Sequence, residues 1–70
     1  MFNKMNYYFE VWEKHNSYRK KITKEEAYGV LHMYGFSDKD WKKEEICVWS
    51  GENRMYSLVK STRKYDCNVA

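Results

Sequence analysis

Few side chains in this chain could do chemistry, and their spacing restricts them further. His15, His32, Cys47 and Cys67 supply all the nitrogen and sulfur metal ligands. None are paired at the short separations that place two zinc ligands on one turn, so no metal site is expected. Asp38, Asp40, Glu44 and Glu45 resemble part of a calcium loop, but the loop glycine and the alternating oxygen ligands are missing. A solvated acidic turn is the plainer reading. Glu10 and Glu13 could act as paired carboxylates only inside a cleft, which a chain of 70 residues rarely builds. A serine or cysteine nucleophile needs a base and an orienting group beside it; two histidines and no G-x-S-x-G elbow do not provide them. Composition and spacing therefore point to a protein that is not an enzyme and needs no cofactor.

A second group of residues could bind rather than react. Arg19, Lys20 and Lys21 form a basic cluster, and Arg54 sits beside a turn. With exposed aromatics they could meet phosphates and stack bases. The ordinary alternative is a solvated loop. The net charge is +3. Residues 1–21 carry five basic and two acidic side chains, residues 22–45 four and six, and residues 46–70 four and two. That is basic at both ends and acidic between, without the dense stripe of a strong nucleic-acid binder.

The elements that must position these groups start from Thr23–Phe36. Thr23 and Glu26 fit a capping box, with Ile22 before the cap able to staple onto Ala27. Glu25 and Glu26 put negative charge at the positive end of the helix dipole. Ala27, Val30, Leu31 and Tyr34 recur on one face at helical spacing. Gly35 stands where a left-handed residue ends a helix, and Phe36 can fold back onto Leu31. Gly29, opposite the stripe, costs about 1 kcal/mol relative to Ala. It reads either as an exposed position or as a place where another backbone approaches. His32 is expected on the surface near Tyr28.

Met5–Glu13 alternates and is rich in aromatic and β-branched residues, so it reads as a strand. Its competing reading is a helix, from Tyr8, Val11 and Trp12. Lys14–Lys21 reads as a polar connection. Ser37 with Asp40 marks a short turn that Trp41 pins to the body. Ile46–Trp49 and Arg54–Ser61 form a hairpin across Ser50–Asn53, with Gly51 supplying positive φ. Residues 62–70 are expected to fray. The chain then forms one small α+β domain of order β-α-β-β, one helix on a three-stranded, mainly antiparallel sheet. Tyr7, Phe9, Val11, Ile46, Val48, Met55 and Val59 would face the helix. Tyr8, Trp12, Cys47, Trp49, Tyr56 and Leu58 would form the other face.

Aromatic residues make up 19% of the chain: three Trp, seven Tyr and three Phe. That exceeds what one small core holds, and interfaces favour Tyr and Trp. A second face so apolar marks an interaction site. Tyr8, Trp12, Trp49, Tyr56 and Leu58 are its candidate contacts, with a second copy of the chain as the leading partner. The alternative is a nucleic-acid binder of winged-helix layout using Arg19, Lys20, Lys21 and Arg54. Against it, the outer helix face carries Glu25, Tyr28 and His32, where a groove reader wants Arg, Lys, Asn or Gln. Phe2–Lys14 lacks the apolar core of a signal peptide, and no apolar run approaches the 18 residues of a membrane span. A cytoplasmic setting with reduced cysteines is the expectation.

The length and the order of Tyr7–Glu13, Thr23–Gly35, Ile46–Trp49 and Arg54–Ser61 resemble a small prophage family from Bacillus, the YopT-like proteins. The resemblance spans essentially the whole chain and rests on element order. It implies one helix, three strands and a homodimer, and it transfers no active-site residues. By analogy of class, small aromatic-rich phage proteins also bind host proteins.

Overall fold

A computed structural model describes residues 4–49 and 51–65, with the backbone alone at 48 and 49. The elements are β1 (Asn6–Glu13), β2 (Ser17–Ile22), α1 (Lys24–Met33), a 3-10 turn (Asp38–Asp40), β3 (Glu45–Trp49) and β4 (Arg54–Ser61). The strands form one antiparallel sheet in the order β2-β1-β4-β3. The fold is thus α+β in type, with one α-helix and four strands rather than three among the described residues.

The added strand is β2, which the sequence places in a polar connection. Its pairing with β1 makes it a strand: Tyr7 opposes Ile22, Glu10 opposes Arg19 and Trp12 opposes Ser17. The hairpin closes where the Glu13 amide donates to the Asn16 carbonyl at 3.0 Å. An edge strand needs only one paired neighbour, so it tolerates the charges of Arg19, Lys20 and Lys21.

The helix forms for the local reasons its sequence carries. The Glu26 amide donates to Thr23 Oγ1 at 3.1 Å, and the Thr23 amide donates to Glu26 Oε1 at 2.9 Å. The Thr23 amide, and after it the Thr23 hydroxyl, favour the ionised Glu26 carboxylate and lower its pKa from the ordinary 4.5. At the other end Gly35 adopts φ 89°. Its amide donates to His32 O, and the Phe36 amide reaches back to Leu31 O at 3.1 Å, the paired bonds of a Schellman ending. Gly29 has open space around it: a Cβ there would meet nothing within 4 Å. Close approach of another backbone is therefore not the reason for this glycine.

The core lies between α1 and the sheet. Tyr7, Ala27, Leu31, Trp41 and Leu58 are buried, with Phe9, Ile22, Tyr28, Val30, Phe36 and Ile46 packed around them. Tyr28 belongs to this layer and not to the outer helix face. Its ring stands 5.3 Å from Trp41 and 6.1 Å from Tyr7, while His32 pairs with Asp38. Trp41 follows the 3-10 turn and is buried. Lys60 fixes it by donating from Nζ to the Trp41 carbonyl at 2.8 Å, with Nζ 4.8 Å from the ring centroid. Among the described residues no helix is long and apolar enough to cross a membrane.

Candidate functional site

The register of β4 decides which residues share a face. Phe9 opposes Leu58 and Val11 opposes Tyr56, while Tyr8 opposes Val59 and Glu10 opposes Ser57. Side chains alternate along a strand, so Tyr56 and Leu58 lie on the helix side and Met55, Ser57, Val59 and Ser61 on the other. This reverses the sequence-based assignment for β4. The cause is size: Leu58 fills the gap under the helix, where a serine would leave a void, and Tyr56 follows on the same side beyond the helix end. Leu58 is buried in the core, so the chain's own packing already uses it.

The second face is correspondingly polar at its centre. Glu10, Ser57, Ser61 and Asn6 are all buried there. Arg19 Nε donates to Glu10 Oε2 in an ion pair whose side chains are 20% and 5% exposed. The Trp12 indole donates to Glu10 Oε1 at 3.1 Å, and Cys47 Sγ meets Ser57 Oγ at 3.1 Å. Residues 62–65, expected to fray, cross this face. The Tyr65 amide donates to the Tyr8 hydroxyl at 3.0 Å, and the two rings meet edge-on at 5.5 Å. Arg19 lies 5.1 Å from the centroid of the Tyr65 ring, and Asn6 Nδ2 donates to the Arg63 carbonyl. Residues 66–70, Cys67 among them, lie outside the described residues.

Of the five candidate contacts, the structure brings Tyr8 and Trp12 to one face. Tyr8 is 1% exposed beneath Tyr65, whereas Trp12 is 41% exposed. The position of Trp49, opposite Met55, has the same parity, and its side chain lies outside the described residues. Between Trp12 and Tyr65 is a shallow depression of about 240 Å³, also lined by Glu10, Arg19, Glu44, Glu45 and Val59.

Tyr56 belongs to a different surface. The ten-residue helix is about 15 Å long, while the eight-residue central strands run about 27 Å. Beyond the helix end, Tyr34 stacks on Tyr56 at 5.8 Å and 14°, and Tyr56 stacks on Phe9 at 5.7 Å and 22°. Tyr18 stands beside them, 48% exposed. Burial, then the neighbouring Tyr56 and Tyr18, raise the Tyr34 phenol above its ordinary 10.0. The neighbouring Tyr56, and then Glu13, with which Arg54 pairs at 3.0 Å, favour the protonated form of Arg54.

The candidate phosphate contacts do not converge. Arg19 is tied to Glu10 and Arg54 to Glu13. Lys20 and Lys21 are exposed on opposite sides of β2. Among the described residues no three His, Cys, Asp or Glu side chains stand where they could hold a metal ion; His15 is exposed at the β1–β2 turn. Set against known proteins, the chain matches no family model, no curated protein and no solved structure.

Proposed function

We propose that the chain is a small non-enzymatic protein of phage or prophage type that acts through protein–protein contact, as a homodimer. The observation that supports this is the stacked row Phe9–Tyr56–Tyr34, with Tyr18 beside it, at the end of the sheet the helix does not reach. Tyrosine and arginine dominate binding hot spots, and stacked rings present contact area with little side-chain entropy left to lose. Beside the row Arg54 pairs with Glu13 and His32 with Asp38, and Lys20, opposite Phe9, is exposed. In the self-complementary contact a two-fold dimer requires, a second copy meets paired charges at Arg54 and Glu13, with Lys20 at the margin of the row. The prophage assignment draws on the resemblance to the YopT-like proteins. The nucleic-acid alternative is weakened because two of its four residues, Arg19 and Arg54, are held in ion pairs.

Sedimentation velocity from low micromolar to near-millimolar protein tests the dimer. A reversible monomer–dimer equilibrium is expected, weakened at least tenfold by Tyr18→Ala, a loss of about 1.4 kcal/mol. A monomer throughout would overturn the homodimer. A dimer indifferent to both Tyr18→Ala and Tyr34→Ala would overturn the placement of its interface.

A further inference from the structure

At the opposite end of the sheet from the tyrosine row, the start of β1, the end of β2 and the first residue of α1 enclose a notch of about 500 Å³. That volume is within the range of pockets that bind ligands. Met5, Tyr7 and Ile22 form its apolar lining and Lys4, Lys21 and Lys24 stand around it, with no carboxylate among the lining residues. All three lysines are exposed. Of the two acidic residues in the first turn of the helix, Glu26 is engaged by the Thr23 amide and also feels Lys20, and Glu25 is exposed.

The notch continues into the outer side of β2, an edge of the sheet among the described residues. An edge strand presents a row of backbone donors and acceptors on which another strand can form. The two edges of this sheet differ in charge: β2 carries Arg19, Lys20 and Lys21, whereas β3 carries Glu45. A second β2 laid against the first would set basic residues against basic residues, which disfavours self-pairing here. The same lysines favour an acidic strand. We propose that the outer edge of β2 and the notch at its end take an extended acidic peptide segment from another protein. The segment adds to the sheet by backbone pairing along Ser17–Ile22. It sets one carboxylate among Lys4, Lys21 and Lys24 and one apolar side chain against Met5 and Ile22. The notch lies at the other end of the sheet from the tyrosine row; the β2 edge shares Tyr18 with that row, and the peptide site does not require the homodimer.

The test titrates ¹⁵N-labelled full chain with a capped octapeptide of alternating Glu and Val. Saturable shifts and slowed amide exchange are expected within residues 17–22, weakening as salt rises. An octapeptide of alternating Lys and Val should not bind. Lys21→Glu with Lys24→Glu should weaken the acidic peptide at least tenfold while leaving the circular dichroism spectrum intact. Should that pair fail to fold, Lys4→Glu, outside the strands, makes the same test. Binding that leaves the β2 amides unprotected would overturn the proposal. So would charge reversal without effect, or a single-stranded octanucleotide bound at the same residues more tightly than the peptide.

Discussion

Replacing Glu10 with alanine removes the buried carboxylate that Arg19 pairs with and is expected to destabilise the fold by about 2–3 kcal/mol. Removing one partner of a fully buried pair costs about 3–5 kcal/mol because a charge is left uncompensated. The Arg19 side chain is 20% exposed, so water recovers part of that cost and the lower range applies. The lost bond to the Trp12 indole adds little, because Trp12 is 41% exposed and water can replace Glu10 there. Arg19→Ala should cost more than Glu10→Ala. It strands a carboxylate whose side chain is only 5% exposed, and it removes the cation over Tyr65, worth about 0.5–1 kcal/mol. A chain of this size has about 3.5–10 kcal/mol of total stability, so either change removes a large share. At about 4–8 °C per kcal/mol, Glu10→Ala lowers Tm by about 10–20 °C. The double replacement Glu10→Leu with Arg19→Met should return stability to within about 1 kcal/mol of the parent or exceed it. Urea unfolding of the parent, both alanine variants, their double and the apolar pair gives these values directly. Single losses below about 0.5 kcal/mol, the range of exposed pairs, would refute the buried-pair account. A larger loss from Glu10→Ala than from Arg19→Ala would refute the ranking.

Gly29→Ala should raise stability by about 1 kcal/mol, because a Cβ there meets open space; thermal unfolding measures the gain. Glu26, whose folded pKa is lowered by its bonds to Thr23, contributes stability that is present above 4.5 and is lost as pH falls through the lower folded value. An acid titration followed by urea midpoint should show this loss in the parent and not in Glu26→Gln.

The helix was legible because its signals are local. Thr23 and Glu26 at one end and Gly35 and Phe36 at the other act within a turn of the residues they cap, so spacing alone locates them. Trp41 was legible for the same reason, as the large apolar residue after an acidic turn. β2 was not legible, because Tyr-Arg-Lys-Lys has no apolar alternation. It becomes a strand through Glu10, which sits opposite Arg19 in the register and is ten positions from Lys20 in sequence. The face assignment of β4 failed where both parities carry apolar residues. The available signal was bulk: Tyr56 and Leu58 on one parity against Ser57 and Ser61 on the other. Tyr65 has no periodic context, and only the folded chain shows that it covers Tyr8.

The parity of β4 also governs which surfaces remain for a partner. With Leu58 under the helix and Tyr56 beyond its end, the second face keeps two serines and a buried glutamate; Arg19 and Trp12 bond Glu10, Cys47 meets Ser57, and the Arg63 amide donates to Ser61. Burying that face against a partner would have to displace Tyr65 and desolvate an ion pair, and such pairs return little net energy for their desolvation. The rings at the end of α1 present no comparable cost, since their hydroxyls can stay at a wet rim while their faces are covered. The β2 edge differs again: its backbone groups are already hydrated, and an incoming strand exchanges water for ladder bonds while the lysines select its charge. Self-association therefore calls on the ring end of the sheet, and capture of an acidic strand on the β2 edge and the notch at the other end, with Tyr18 common to both.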